Sequence, residues 1–180
     1  MLISPRLILQ AVRYIASWVF RCPYWIYLKT KYPDFDTILP EMLERGKKAE
    51  NEFRKVLKAD KIWFREQVSL KYVADNYTIS GRADFVTSDR VYEVKHVEKF
   101  RKPSKNWLGQ LNLYLAMTGR DNGSIVEFNG DRFREYRVRF SRKLFRDSLR
   151  FFDRIHSGRY SAYPWYCRYC SYSFICSKRR

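Results

Sequence analysis

Residues 80–97, SGRADFVTSDRVYEVKHV, restrict what this chain can fold into more than any other stretch. Two runs rich in β-branched and aromatic residues flank Ser88-Asp89, which predicts a hairpin with a two-residue turn. Positions whose numbers sum to 177 then face each other, and Asp84 meets Glu93. Facing residues share a sheet face, with Cβ atoms roughly 4.5–5.5 Å apart. Lys95 lies two residues beyond Glu93 and projects from the same face. Ala83, Phe85, Tyr92 and Val94 project the other way and are expected to be buried. The plain alternative is a cross-strand ion pair of little energetic consequence.

Two carboxylates beside a lysine suit phosphodiester cleavage. Asp84 and Glu93 offer hard oxygen ligands to Mg²⁺ or Mn²⁺. Such an ion neutralises charge on a scissile phosphate and lowers the pKa of a bound water. Lys95 is placed to orient or deprotonate that water, or to stabilise the transition state.

Two further segments extend the set. In PEMLERGKKAENEF, Pro40 suits the first turn of a helix. Gly46 and Glu50 then stand one turn apart. A mid-helix glycine suggests close approach of another element, and Glu50 is a third candidate metal ligand. Glu52 is its rival, but lies about 200° round the helix, so only one of the two points inward. In PSKNWLGQLNLYLAMTG, Ser104 is a natural N-cap and Gly119 a natural stop. Leu108, Leu111 and Leu115 give an apolar stripe, and Gln110 and Tyr114 form an adjacent polar pair. That pair is placed to contact a DNA phosphate or base, or to steady Lys95. A solvated helix face around Glu50 and a core-helix margin around Gln110 are the plain alternatives.

Around these motifs the pattern gives one domain. Helices are expected at 5–20, 40–57, 104–118 and 141–156, with a Cys-Pro turn at Cys22. Strands are expected at 62–73, 77–87, 90–97, 124–128 and 133–140. A helix inserted among strands predicts an α/β fold, a mixed sheet flanked by helices. The N-terminal segment MLISPRLILQAVRYIASWVF is interrupted by Arg6 and Arg13, with Arg21 just beyond, so it is too short in uncharged run to span a membrane. It reads instead as an amphipathic helix, with Leu7, Ala11, Tyr14, Ile15 and Trp18 on one face. With no export signal, a cytoplasmic protein with reduced thiols is expected.

The charge balance points to the partner. Lys and Arg number 36 against 19 Asp and Glu, a net charge of +17. This is well beyond the ~2–8 common for a small domain and favours a polyanion, above all nucleic acid. Trp107, Tyr114 and Phe100 are candidates for stacking on single-stranded bases. A noncatalytic nucleic-acid-binding module stapled by a metal is the rival from another class.

Four cysteines remain. Cys22 stands alone, and Cys167, Cys170 and Cys176 cluster in YCRYCSYSFIC. A disulfide set is disfavoured in a reducing compartment. Four thiolates make one complete tetrahedral set, which suits either structural zinc or a 4Fe–4S cluster.

Taken in order, Gly46-x3-Glu50, Gly81-Arg-Ala-Asp84, Glu93-Val-Lys95 and Gln110-x3-Tyr114 resemble the RecB-like nucleases of the PD-(D/E)xK superfamily. With one early and three late cysteines, the chain looks like the CRISPR-associated RecB-family exonucleases. The resemblance implies a nuclease core at 40–140, with segments at 20–28 and 163–180 joined through Cys22, Cys167, Cys170 and Cys176 at a 4Fe–4S cluster, zinc being the runner-up. It implies metal ligation by Glu50, Asp84 and Glu93, and catalytic roles for Asp84, Glu93, Lys95, Gln110 and Tyr114. It also implies 5′→3′ cleavage of single-stranded DNA or frayed ends in spacer acquisition, with the CRISPR integrase complex as a partner. Many relatives carry histidine where this chain has Glu50; the histidines here are His96 and His156, and His96 is expected to face away from Lys95.

Overall fold

The computed structural model describes residues 12–35, 40–163, 167–168 and 170–178. Among them, β1 (Val12–Ile15), β2 (Arg65–Val73), β3 (Tyr77–Val86), β4 (Arg90–His96), β5 (Asn122–Phe128) and β6 (Phe133–Arg139) form one mixed sheet. The helices are α1 (Pro23–Lys31), α2 (Pro40–Ala59), α3 (Lys105–Thr118) and α4 (Arg142–His156). The expected class, a mixed sheet flanked by helices, is the one found. The sheet runs β1-β3-β4-β5-β6, and β2 pairs with β3 as well. Pairs β1–β3 and β4–β5 are parallel and the rest antiparallel. Helix α3 makes the crossover that the parallel step from β4 to β5 demands.

Helices cover both faces. Leu111, Leu113 and Leu115 of α3 and Phe151, Phe152 and Ile155 of α4 pack with Ile79, Val91 and Ile125. On the other face Ala49, Phe53 and Leu57 of α2, each one turn from the next, pack on Phe85, Val94, Val126 and Phe128. Strand β5 is therefore buried on both sides, and its sequence lacks polar alternation. Local chemistry sets the helix ends. Ser104 accepts a hydrogen bond from the Trp107 N–H, and Gly119 adopts the left-handed conformation at φ 66°. Ser141 caps α4 through the Leu144 N–H.

The N-terminal helix is not what the structure has. Residues 12–15 form β1, paired with Tyr77–Ser80 of β3, and a short 3-10 turn follows at Ala16–Trp18. Over so few residues an apolar spacing fits helix and strand alike, and pairing with a strand over sixty residues away decides the outcome. The remainder of that expected helix, residues 5–11, lies outside the described residues. The Cys-Pro step opens α1, with Cys22 at the N-cap and Pro23 at the first helical position.

The C-terminal tail docks on α1. The Tyr24 N–H donates to the Ser161 carbonyl at 3.2 Å, and the Tyr24 and Ser177 hydroxyls lie 2.8 Å apart. Tyr172 is fully buried, with its ring edge-on to Trp25 and its hydroxyl donating to the Tyr32 carbonyl. No helix among the described residues is long and apolar enough to cross a membrane.

Asn112 ties the two helices of one face together. It is fully buried, accepts from the Ser141 N–H at 2.8 Å and donates to the Ser141 carbonyl at 3.1 Å. Asn112→Ala strands the Ser141 N–H, while the Ser141 carbonyl keeps the Phe145 N–H, and is expected to cost about 1–3 kcal/mol in urea unfolding.

Candidate active site

Strand β3 changes neighbours partway along. One edge pairs with β2 from Thr78 to Val86. The other pairs with β1 as far as Ser80 and with β4 only from Phe85. Residues 81–84 therefore face no strand on that edge. Side chains take over the hydrogen bonding there. The Arg82 N–H donates to the Tyr114 hydroxyl at 3.3 Å, and Asp84 Oδ2 accepts from the Val94 N–H at 2.8 Å. Gly81 makes room for this: a Cβ would sit 2.5 Å from the Tyr114 ring and 2.7 Å from its hydroxyl.

The hairpin register matches the expected one, with Phe85 opposite Tyr92 and Val86 opposite Val91. Beyond these pairs β3 and β4 part, and the alternation of side chains along the β2–β3 ribbon reverses. Ala83 and Val68 belong to the core under α3 and α4. Phe85 packs under α2, and Glu66 pairs with Arg54 of α2 at 2.6 Å. The reversal falls at Gln67 and Asp84, and Gln67 holds φ at +52°, the left-handed region that a non-glycine residue seldom adopts. Gln67 Nε2 donates to Glu50 Oε2 at 2.7 Å.

The candidate residues converge on this gap. Lys95 Nζ lies 2.7 Å from Glu93 Oε1 and 3.5 Å from Gln110 Oε1. Gln110 Nε2 donates to Glu93 Oε1 at 2.7 Å and to the Tyr114 hydroxyl at 3.1 Å. Glu50, Asp84 and Glu93 thus each have one oxygen engaged by a protein donor. The second oxygen of Glu93, a residue only 2% exposed, is buried without a hydrogen-bond partner. Glu52 turns away and pairs with Lys55.

Crowding of like charges shapes the electrostatics. Burial, then the nearby Glu93, pushes the Asp84 carboxyl well above the ordinary aspartate range. Glu50 is raised by the same two causes, partly offset by Arg82 and Arg54. Burial pulls Lys95 down, but Glu93 and Asp84 more than offset it and hold the amine above its usual value. Burial and then Glu93 push the Tyr114 hydroxyl far up. An all-oxygen set with an orphaned buried carboxylate oxygen has the chemistry to take a hard divalent cation. As placed, no three His, Cys, Asp or Glu side chains among the described residues close on a common ion.

Several expectations need correction or extension. A Cβ at Gly46 would meet nothing within 4 Å, so no element approaches there. Tyr114 is 2% exposed and holds Gln110 and Arg82, so it offers no face to a base. Trp107 and Phe100 are half-buried, with Arg101 over the first ring and Arg134 over the second. His96 lines a groove with Met42, Phe100 and Arg101, apart from the carboxylates. Gln67 and Glu127 were not singled out by pattern. Glu127 sits in register beside Lys95, fully buried; Oε2 accepts from the Arg101 N–H and Oε1 has no partner. Its signal is a lone acid within the apolar run SIVEF; Gln67 gives none.

The cysteines are gathered but not closed on an ion. Cys22, Cys167, Cys170 and Cys176 are all free thiols. Burial raises the Cys170 thiol, and Cys22, Cys176 and Cys167 add smaller contributions through their charge.

Solved structures share this fold. The crystal structure of SSO0001 superposes with a TM-score of 0.79 at 21% identity, covering 93% of this chain and 87% of that one. LHK-Exo, an alkaline exonuclease from Laribacter hongkongensis, gives 0.61 at 14% identity over 82% of this chain and 89% of its own. A phage-related exonuclease from Haemophilus somnus 129PT gives 0.62 at 8% identity, over 82% and 96%. No family model matches the sequence, and no curated protein matches it.

The left-handed backbone at Gln67 has a measurable signature. In an ordinary strand alanine is more stable than glycine. Here Gln67→Gly is expected to be more stable than Gln67→Ala by about 1 kcal/mol in urea unfolding, because alanine keeps the cost of the left-handed conformation.

Proposed function

We propose that this chain is a metal-dependent DNA nuclease whose site is the gap between β3 and β4. The observation that carries the reading is the Glu93–Lys95 ion pair with the carboxylates of Asp84 and Glu50 close enough to repel Glu93, whose second oxygen is buried with no protein partner. The fold likeness to two proteins named as exonucleases supports the same class.

Glu50, Asp84 and Glu93 are the residues that would hold Mg²⁺ or Mn²⁺, which when bound supplies charge neutralisation at the scissile phosphate and a lowered pKa for water. The protein's own groups do the rest. Lys95 presents its cation to the phosphoryl oxygens on which negative charge builds. Gln110 fixes Glu93, Tyr114 fixes Gln110, and Gln67 fixes Glu50. Water oxygen bonds to phosphorus, the phosphorus–oxygen ester bond breaks, and the departing oxygen takes up a proton.

The motif resemblance refines this to a 5′→3′ exonuclease on single strands or frayed ends, serving spacer acquisition beside the CRISPR integrase. The net charge of +17 supports a nucleic-acid substrate. With Mn²⁺, wild type is expected to degrade labelled single-stranded DNA, and Asp84→Ala and Lys95→Ala to lose at least ~100-fold in rate. Equal degradation by all three proteins would mean a contaminant and favour the noncatalytic binding module. Comparing 5′- and 3′-labelled strands reads the polarity.

We further propose that Cys22, Cys167, Cys170 and Cys176 hold a 4Fe–4S cluster, with zinc as the alternative. The packing of Cys22, Cys170 and Cys176 in one core and the docking of the tail on α1 support this. Anaerobically purified protein is expected to be brown, with broad visible absorbance that Cys170→Ser abolishes. A colourless protein with one zinc per chain selects the alternative.

A further inference from the structure

The carboxylates occupy one end of the β2–β3 ribbon, and a groove of opposite character lies further along it. Arg13, Ser69, Leu70, Lys71, Thr78, Ser80 and Gly81 line a hollow of about 330 Å³. The pairings bring them together: Lys71 stands opposite Ser80, Ser69 opposite Arg82, and Arg13 beside Thr78. Arg13 Nε donates to Ser80 Oγ at 2.8 Å, and Ser80 Oγ donates to the Tyr14 carbonyl at 3.3 Å, which fixes the guanidinium against the sheet. Among the described residues no carboxylate lines the hollow. Neither Arg13 nor Lys71 forms an ion pair among the described residues, whereas Arg45, beside His96 in the other groove, pairs with Glu98.

We propose that this hollow holds the sugar–phosphate backbone of the substrate strand, at a phosphodiester away from the one being cut. The inference rests on the nuclease reading and adds to it the path of the DNA. Two cations and the hydroxyls of Ser69 and Thr78 match phosphate oxygens and carry no base readout. Four residues of strand separate Ser80 from Asp84, roughly 13 Å, so the hollow grips the strand a nucleotide or two from the scissile bond. Exposed Arg82 projects between them and continues the positive track. The contact holds the strand in register and leaves the chemistry to the carboxylates and Lys95.

The test is anisotropy of a fluorescent single-stranded oligodeoxynucleotide of about 12 nucleotides, within typical single-strand site sizes, with Ca²⁺ replacing the active metal. Arg13→Ala and Lys71→Ala are each expected to weaken binding ~3–10-fold and to lower the slope of log K against log salt by about 0.7, one phosphate contact each. Lys58→Ala, a charge removed from the far end of α2, should stay within ~2-fold, and Lys71→Arg should restore binding. Thermal melts check that both variants are folded. Arg13→Ala and Lys71→Ala indistinguishable from Lys58→Ala, in a protein whose wild type degrades DNA, overturn the groove and leave the nuclease reading standing. Calorimetric binding of inorganic phosphate that Arg13→Ala and Lys71→Ala abolish, with their oligonucleotide affinity unchanged, assigns the hollow to a free anion and overturns it too. A wild type that neither binds nor degrades DNA sinks both.

Discussion

Strand β3 gives up β1 after Ser80 and meets β4 at Phe85, and the cluster of Asp84, Glu93, Lys95, Gln110 and Tyr114 gathers at the interval. Backbone groups on an unpaired edge inside a folded domain must find other partners. Here the partners are the side chains of Tyr114 and Asp84. The Tyr114 hydroxyl takes the Arg82 N–H, and the Asp84 carboxylate takes the Val94 N–H. Both are thereby held against the backbone of the sheet. Gly81 is the condition for this, since any side chain there would occupy the Tyr114 ring.

The same opening lets both helical layers reach one place. Helix α3 contributes Gln110 and Tyr114 from one face, and α2 contributes Glu50 from the other. Helix α2 reaches the site through Gln67, whose left-handed backbone lies where the ribbon's faces exchange. A non-glycine residue in that conformation is a local cost that the surrounding pairings of β2 and β3 sustain. The result is an acidic cluster on a chain of net charge +17. Repulsion among Glu50, Asp84 and Glu93 and the cation of Lys95 leave a small concentrated charge pattern that a surface of scattered ion pairs would lack.

Much of this was legible in the residues. The β3–β4 register followed from Ser88-Asp89 only as far as Phe85 and Tyr92; Asp84 is not paired with Glu93 but accepts from the Val94 N–H, and Ala83, expected beside Phe85, packs in the core of the other face. Ser104, Gly119 and Ser141 marked helix ends because capping is a local property. What failed was non-local. Residues 12–15 have a helix-compatible spacing and became a strand because β3 had a free edge to offer. Gly46 looked like a contact and faces open space. Tyr114, an aromatic beside a polar partner, read as a stacking platform and is enclosed by Gly81 and Gln110.

The sequence by itself determined which side chains share a face along β4, α2 and α3, since a period of two on a strand and of three to four on a helix is set locally. Tertiary structure alone decided that those faces meet. The parting of β3 from β4, the reversal at Gln67 and the burial of Glu127 beside Lys95 depend on strands and helices distant in the chain. Local patterns encode direction from a backbone axis; they hold no information on where one axis comes to rest against another.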